Sequence, residues 1–483
     1  MARTQVDVHV ARGEDGTIRI AAAPDSGGAG FYGDVDAVGP EFTWAVLDVA
    51  GAVLTWPVLD APGPPSAEIH DAGRAQQWLW ALYGERVAAA VHDVHDVHDV
   101  HGSAAGEPAA GVRVSAEVTG LAGSAARLGL GHWAARWWPT SYTDGIPALE
   151  PDLHGLELAA LTHRCQQLFD AGDGDGAGDG DQPDDCAAEL IEEHQAALDP
   201  LVQWWRAAAQ PADAARHLES VLRLIDDAAD SAGLDGPALR HLRSSLELGL
   251  GLELEQGMEQ GRPVGVPVDP GALFARHDGY ALAAGEPLVA GGRLIARGTG
   301  TNDWRRYPPG FVDAAEDAVS WTARALGARR QIEIEAVAHI AAPTAGAPLV
   351  AEFRVNGGHP NRVPLARRDD VWTGRADLDL GSDLGLGLDV GSDLGLSGIE
   401  VGVLLPGFDP GRDGREGGVG GVGDQGGVSG ADEGRVGRDA VRALVRRRLT
   451  AAAQPQAYDA PPHDASLGPF LAETAAATTD EDY

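Results

Sequence analysis

The sequence of 483 residues contains no lysine, and all 36 of its basic residues are arginines. A P-loop uses a lysine on the nucleotide phosphates, a protein kinase uses a strand lysine, and Schiff-base chemistry uses an amine nucleophile. The chain by itself therefore cannot carry out any of these three kinds of chemistry. If its function involves nucleotide hydrolysis by a P-loop, a partner must supply the lysine.

Other residue types are also scarce. Asparagine occurs three times and isoleucine eleven times, whereas glycine alone accounts for 66 residues. A GC-rich coding background explains this pattern, and adaptation to high salt is the alternative, since acidic residues then replace lysine on the surface. The formal net charge is −37, which opposes binding to nucleic-acid phosphates and to anionic membrane surfaces. We expect neither as a partner.

The chain has only two cysteines, too few for a disulfide framework. Cys165 falls in helical step with Leu158, Leu161 and Leu168, which predicts a core thiol, whereas Cys186 follows an acidic tract and is predicted to be exposed. No apolar run approaches the roughly 18 residues of a membrane span, and the first residues lack a signal-peptide pattern. We therefore expect a cytoplasmic protein with free thiols.

Low-complexity sequence interrupts the chain in four places. It is concentrated in the VHD repeat at 91–102, the Asp/Gly tract at 170–185, a duplication at 378–397 and a glycine-rich tract at 411–435. Each lies between segments of clear periodicity, so we interpret them as expanded loops inserted into an older fold, at little cost in loop-closure entropy.

The remaining segments predict a multidomain α+β fold. We predict a small α+β domain at 1–90, a low-complexity linker at 91–110, a mainly helical domain at 111–285, a C-terminal antiparallel β-sandwich at 301–455 that is closed by a helix, and an acidic tail at 456–483.

In the first region, apolar alternation at 6–10 and 18–20 predicts strands. Residues 42–58 predict a hairpin that turns near Gly51, and a helix is predicted over about 67–90. These elements make up the expected small α+β domain.

In the middle region, an apolar stripe of helical period over 214–225 predicts a helix that stops near Gly233. Pro237 suits the first turn of the next helix, and Asp152 is expected to cap a helix after Pro151. Short-loop connections between such helices are typical of a bundle.

In the C-terminal region, short alternating segments separated by Gly, Pro, Asn and Asp predict strands of a sandwich. They occupy 318–326, 331–340, 349–355, 361–366, 370–378 and 399–405. A final helix is predicted over about 438–452.

The VHD repeat is a candidate metal site. It places His92, His95, His98 and His101 three residues apart, each beside a carboxylate that could also bind zinc or nickel. On a helix that spacing lets adjacent pairs chelate, but the four imidazoles would not converge. Adventitious metal binding and an inert solvated loop are the alternatives.

The Asp/Gly tract partly matches a calcium-binding loop. Asp173 and Asp175 fit the first positions, but Ala177 replaces a ligand and Asp184 is shorter than the required glutamate. We interpret the tract as a flexible acidic linker.

The tryptophans at 133, 137, 138, 204 and 205 could form a binding platform, but their helical spacing favours core packing.

Two charged segments form the candidate interaction surface. Arg305 and Arg306 lie near Asp313 and Glu316, where they could pair with each other, as surface ion pairs, or bind an anion. The C-terminal helix carries a cluster of arginines that could contact an acidic partner or the chain's own acidic surface, and the second needs no partner. The cluster comprises Arg442, Arg446, Arg447 and Arg448, and Arg446 and Arg447 are its members in the candidate surface.

Three segments carry a family resemblance: RWWPTSYTDGIPALEPDLHGLELAALTH, DWRRYPPGFVDAAEDAVSW and FLAETAAATTDEDY. Over half to two-thirds of its length, the chain resembles a family of intracellular proteins from high-GC bacteria that has no established activity. The resemblance implies that the chain is similar to accessory components that are encoded near AAA-type ATPases and von Willebrand A proteins. It gives no catalytic residues.

The sequence contains no HExxH, CxxC, GxSxG or complete P-loop motif, and no catalytic constellation stands out. We therefore predict a non-catalytic cytoplasmic interaction or scaffold protein, an accessory component of an ATPase-containing system, with a protein partner and no cofactor. The first alternative is a hydrolase of unrecognised type with a site between the helical and β-sandwich regions. The second is a metal-binding protein that uses the VHD repeat.

Overall fold

The structure is a computed structural model. It describes residues 5–13, 15–22, 40–60, 63–100, 111–117, 119–169, 183–207, 212–255, 269–274, 292–327, 329–339, 342, 348–378, 398–408, 429–454 and 468–478. Contacts divide the chain into two compact units, the first made of residues 1–135, 149–275 and 443–483 and the second of 136–148 and 276–442.

The first unit contains a six-stranded antiparallel sheet with the strand order β3-β4-β5-β2-β1-β6. Its strands are β1 Gln5–Arg12, β2 Ile18–Ala22, β3 Trp44–Val49, β4 Ala52–Pro57, β5 Ser66–Ile69 and β6 Val112–Glu117. The register pairs Val10 with Ile20 and Leu47 with Leu54, and all of these side chains are buried. Because alternate residues point to one side, this face of the sheet is apolar.

The predicted hairpin at 42–58 is confirmed as β3 and β4. Its turn contains Gly51 with φ of +75°, and a Cβ there would lie 2.4 Å from the carbonyl oxygen of Asp71. The turn therefore requires glycine at this position.

The helix predicted over 67–90 is wrong at its start and in its continuity. Ala67 and Ile69 are buried alternately in β5, and two helices follow, α1 Ala72–Tyr83 and α2 Glu85–Val100. Asp71 caps α1 by accepting a hydrogen bond from the backbone N–H of Arg74 at 3.0 Å.

The VHD repeat was expected in a loop or linker, but α2 continues through it as far as Val100. Val87 and Val91 are buried on one side of α2, and Arg12 of β1 donates to the carbonyl oxygen of His95 at 3.1 Å. Packing against the sheet therefore extends the helix beyond the point where its composition suggested a loop.

The remaining helices are α3 Gly120–Trp137, α4 Pro151–Arg164, α5 Pro183–His194, α6 Leu198–Arg206, α7 Ala212–Ser231, α8 Pro237–Glu255, α9 Pro270–Phe274, α10 Ser429–Ala453 and α11 Leu471–Thr478. In the first unit α4 to α9 and α11 share an apolar core that includes Leu156, Leu201, Leu222, Leu242 and Leu471. The predicted helix over 214–225 is confirmed, and its stripe is buried in this core.

Four other local predictions in the first unit are confirmed: a helix end, a helix start, the difference in burial between the two cysteines and the core position of two tryptophans. Gly233 follows α7 with φ of +69°, and Pro237 begins α8, both as predicted. Cys165 is buried and Cys186 is exposed. Trp133 and Trp204 are core residues, 3% exposed each.

The second unit contains two antiparallel sheets that pack against each other as a sandwich. Their strands are β7 Arg293–Thr299, β8 Val319–Leu326, β9 Arg329–Val337, β10 Val350–Val355, β11 Asn361–Pro364, β12 Ala366–Arg368, β13 Val371–Asp377 and β14 Ile399–Leu404. The strand orders are β12-β13-β9-β8-β7 and β11-β10-β14. Every predicted segment forms a strand, and β7 and β12 are additional.

Gly374 of β13 lies where residues 363–365 approach its backbone closely. A Cβ on Gly374 would lie 2.7 Å from Cδ2 of Leu365 and 3.0 Å from Cγ1 of Val363. Trp321, Phe353 and other large side chains fill the interior and are at most 6% exposed. The predicted mixed α+β fold with a C-terminal antiparallel sandwich is thus confirmed.

In the segment predicted as an acidic tail, residues 471–478 form α11, and Leu471, Ala472 and Glu473 on it are buried. Most of each glycine-rich or Asp/Gly tract lies outside the described residues, including the proposed calcium ligands Asp173 and Asp175. Within the described part of the chain, none of the helices is long and apolar enough to cross a bilayer.

Candidate functional site

Buried ionised side chains are gathered in the first unit around Glu157, on α4. Its carboxylate is 1% exposed, and Oε1 accepts hydrogen bonds from Arg127 of α3 at 2.7 Å and contacts Nε2 of His217 of α7 at 3.1 Å. Oε2 accepts from the backbone N–H of Leu471 at 2.7 Å. Both oxygens of this buried carboxylate are therefore used within the unit.

A second buried glutamate, Glu473 of α11, lies in the same region. Arg448 of α10 donates to both of its oxygens, at 2.6 and 2.7 Å. Its Oε2 also accepts from the backbone N–H of Phe470 at 2.7 Å. Two parallel N–H···O bonds make this the strongest type of side-chain ion pair.

Residues 468–478, named the docked segment here, are held by these groups. Arg127 donates to the carbonyl oxygens of Gly468 and Pro469, at 3.0 Å each. The Arg127 and Arg448 guanidinium carbons lie 4.8 and 5.5 Å from the ring centroid of Phe470, a distance at which a cation attracts an aromatic ring. The cluster thus fixes both the backbone and the side chains of the segment.

The electrostatics of the cluster keep Glu157 ionised. Burial raises the pKa of this carboxyl, but the Arg127 charge and the His217 hydrogen bond outweigh burial and lower it to about 2. Burial also lowers the pKa of His154, whose Nε2 donates to the carbonyl oxygen of Gly131 at 2.9 Å. At neutral pH Glu157 has no proton to give, and its lone pairs are occupied, so the arrangement suits holding a chain segment rather than acid–base catalysis.

Asp152 does not act as the predicted helix cap. The N-cap residue of α4 is Glu150, with Pro151 in the first turn, and no side-chain hydrogen bond caps the helix there. The Asp152 carboxylate instead accepts from Nδ1 of His194 at 3.1 Å. This contact places the His194 ring against Gly155, where a Cβ would lie 1.9 Å from its Cδ2.

The second unit has its own buried polar network around Asp313. Its Oδ1 accepts from the hydroxyl of Ser141 at 2.7 Å and from the backbone N–H of Ala315 at 2.8 Å. Oδ2 accepts from the backbone N–H of Tyr142 at 2.7 Å. Asp313 therefore fixes the turn at 141–146 to the start of the sandwich.

Asn302 extends this network. Its side-chain amide donates to the carbonyl oxygens of Asp313 and Ala315, at 2.8 and 2.7 Å, and its Oδ1 accepts from the hydroxyl of Tyr307. Burial raises the pKa of Tyr307, so the phenol stays protonated and acts as a donor.

Two nearly buried arginines of α10 complete the second network. Arg438 donates to both oxygens of Glu316, at 2.9 and 2.7 Å. Arg442 donates to the carbonyl oxygen of Ala314 at 3.0 Å and lies 3.6 Å from Asp144. For Arg442, the prediction that the arginine helix contacts the chain's own acidic groups is confirmed.

The structure separates the predicted interaction residues. Arg305 pairs with Asp303 at 2.9 Å, and Arg306 pairs with Glu352 at 3.4 Å. Asp313 is 2% exposed, so it belongs to the interior, and its place in an interaction surface is corrected. Glu316 is partly buried against Arg438.

Arg446 and Arg447 are exposed on α10. They lie on the same helix as the buried Arg442 and the partly buried Arg448. Of the predicted surface, this arginine pair is the part with the greatest exposure.

No group of three or more His, Cys, Asp or Glu side chains suited to a metal ion occurs among the described residues. His92 is exposed and His95 is half-buried on α2. The side chain of His98 and all of His101 lie outside the described residues. Metal binding by the repeat stays a prediction.

A pocket of about 180 Å³ lies beside Ile191 of α5 and the loop at 234–236. Ligand pockets are typically about 300–1,000 Å³ and contain converging polar groups. The residues that line this pocket include Ile191, Glu192, Gln195, Leu234, Asp235 and Leu239. With only two carboxylates, it does not indicate a catalytic centre.

The residues that hold the docked segment did not stand out in the sequence. Glu157 lies among leucines and alanines, and a carboxylate in so apolar a helix is a signal of burial with a partner. Comparison of the chain with protein-family models, with curated proteins and with solved structures finds no match. Geometry is therefore the basis for a functional proposal.

Proposed function

We propose that this chain is a non-catalytic interaction or scaffold protein of the cytoplasm, and that it serves as an accessory component beside an ATPase. The observation that supports this is the internal use of its buried charged groups. Glu157, Glu473 and Asp313 each have their oxygens occupied by donors from the same unit. Such groups organise a surface rather than perform chemistry at one.

The partner surface that we favour includes Arg446 and Arg447. Adjacent exposed arginines on a rigid helix suit a carboxylate-rich protein partner, since guanidinium groups bind carboxylates in a bidentate manner. Because the chain has no lysine, any P-loop ATPase activity would have to come from such a partner.

The test uses the tagged full chain and a double variant, Arg446→Glu with Arg447→Glu, in pull-down from the native lysate followed by mass spectrometry. We expect a partner in stoichiometric amount with the wild-type chain and at least a tenfold loss with the variant, because like charges repel at an interface. The matched control is Arg329→Glu with Arg330→Glu, a second adjacent arginine pair at the start of β9.

Two results would count against the proposal. Recovery of no stoichiometric partner by the wild-type chain would argue against a scaffold. Equal recovery by both double variants would leave the scaffold but reject the α10 surface. The hydrolase and metal-binding alternatives stay predictions, and zinc titration of His92→Ala with His95→Ala tests the second.

A further inference from the structure

The docked segment is recognised largely through its backbone. Arg127 binds the carbonyl oxygens of Gly468 and Pro469, and Glu157 binds the N–H of Leu471. The N–H groups at the start of a helix have no partner within the helix. Glu157 satisfies that of Leu471, and Glu473 of the segment itself satisfies that of Phe470.

Two side chains of the segment add specificity. Phe470 lies against the guanidinium groups of Arg127 and Arg448, and its ring meets His154 edge to face with centroids 5.2 Å apart. Glu473 accepts hydrogen bonds from Nε and Nη2 of Arg448. The groove therefore recognises an aromatic residue that is followed three positions later by a glutamate.

The helix itself is short. α11 has eight residues, of which half are alanine, and an isolated helix of this length is marginal in water even for alanine-rich sequence. Its helicity therefore comes from docking, as for peptides that lie as a helix in a groove.

The apolar anchoring of the segment is modest. Apart from Phe470 and Leu471, the buried apolar residues are alanines at 472, 475 and 476. Alanine removes little apolar surface from water, so the charge-assisted bonds supply much of the affinity.

We propose that the groove that holds the docked segment is an exchangeable peptide site, and that its occupant in trans is the docked segment of a second copy of this chain. A second copy carries the same Phe470, Leu471 and Glu473 and so meets every contact described above. The chain's own segment is favoured at low concentration because its binding is intramolecular, whereas binding of a second copy's segment depends on the concentration of the chain. Exchange of segments between copies is domain swapping.

The experiment uses the full chain with a protease recognition sequence inserted between Ala460 and Pro461. After cleavage, a fluorescein-labelled peptide of residues 468–478 is added, and its anisotropy reports binding. Native mass spectrometry reports release of the resident segment, and circular dichroism reports whether the cleaved chain is still folded.

We expect the labelled peptide to bind the cleaved chain and to displace the resident segment. The same peptide with Glu473→Ala should bind at least tenfold more weakly, because Arg448 loses its partner. Raising the NaCl concentration from about 50 to about 500 mM should weaken binding severalfold by screening.

Two outcomes would overturn the proposal. One is a cleaved, folded chain that keeps its resident segment and takes up no labelled peptide. The other is unfolding on cleavage, which would make the segment a permanent part of the core. The assay contains only this chain and its own peptide, so either outcome leaves the partner pull-down unaffected.

Discussion

The side chain of Glu157 and the backbone N–H of Leu471, 314 positions apart in sequence, share a hydrogen bond of 2.7 Å. Because Glu157 is also paired with Arg127, the bond joins a buried ion pair to the start of a helix. Loss of either partner leaves a buried polar group unsatisfied. Stability and segment docking are therefore coupled at this one carboxylate.

Replacing Glu157 by glutamine tests this coupling. The substitution keeps the shape but removes the charge, so Arg127 stays buried without its counter-ion. Breaking a buried pair costs about 3–5 kcal/mol, and we expect a loss of about 3 kcal/mol in the free energy of unfolding, measured by urea denaturation. The control is Glu219→Gln on α7, whose partner Arg223 is exposed, with an expected loss below about 1 kcal/mol. Equal losses would contradict the buried role.

The same carboxylate predicts a pH dependence. Its pKa is about 2 in the folded chain, lowered from 4.5, so its contribution is complete above the unfolded value and is lost as pH falls toward the folded value. Between pH 6 and pH 3.5 the stability difference between the wild-type chain and Glu157→Gln should narrow by about 1 kcal/mol. Urea titrations at both pH values measure it, and a constant difference would exclude a depressed pKa.

The alternation of apolar and polar residues predicted the strands well, because every second side chain of each strand is buried. The hairpin at Gly51 and the segments of the sandwich depend on neighbours two residues apart and on glycine in turns, which a sequence displays directly. β5 was missed because four residues, Ser66–Ile69, are too few to separate a strand from a helix start.

The VHD repeat shows the opposite limit. Its composition predicted a loop, whereas α2 extends to Val100 because the sheet offers Val87 and Val91 a surface on which to pack. Tertiary burial of this kind overrides local propensity and cannot be recognised without knowledge of which elements meet.

The contacts of the docked segment could not be predicted from the sequence for a related reason. The residues around Glu157 do not indicate Leu471 as its partner, since the contact depends on the whole fold. Besides the apolar surroundings of Glu157, the sequence has a second signal: Glu473 follows Phe470 by three positions, the spacing at which a glutamate accepts a hydrogen bond from the backbone at a helix start. In the structure the backbone N–H of Phe470 donates to Glu473 at 2.7 Å.

Asp313→Ala should loosen the turn at 141–146 in the second unit. It removes the acceptor of the Ser141 hydroxyl and of the backbone N–H groups of Tyr142 and Ala315. We expect a loss of about 3 kcal/mol in the free energy of unfolding, together with faster chymotrypsin cleavage after Tyr142. Asp317→Ala, at an exposed neighbour, is the control. If both variants are cleaved at the wild-type rate, Asp313 does not fix the turn.

The two cysteines should differ in reactivity. Burial raises the pKa of Cys165 to about 12, and the thiolate is the reactive form, whereas Cys186 is exposed. A chromogenic disulfide reagent at pH 8 should therefore modify only Cys186 in the folded chain and both thiols in denaturant. The variant Cys186→Ser should be nearly inert until it is unfolded, and rapid reaction of the folded variant would contradict the burial of Cys165.

Gly155→Ala should destabilise the crossing of α4 and α5. The new Cβ would lie 1.9 Å from Cδ2 of His194, so the ring must move away and lose its 3.1 Å contact with Asp152. Overpacking of this kind costs about 1–3 kcal/mol, and alanine's better helix propensity returns only about 1 kcal/mol of that. We expect a net loss of about 1–2 kcal/mol in urea denaturation.

The control for this last substitution is Gly120→Ala at the start of α3, where a Cβ would meet no atom within 4 Å. There the propensity gain is unopposed, so the chain should be unchanged or slightly stabilised. A double variant that combines Gly155→Ala with His194→Ala removes the obstructing ring. If the ring is the cause, the second change should recover part of the loss, and an additive result would place the strain elsewhere.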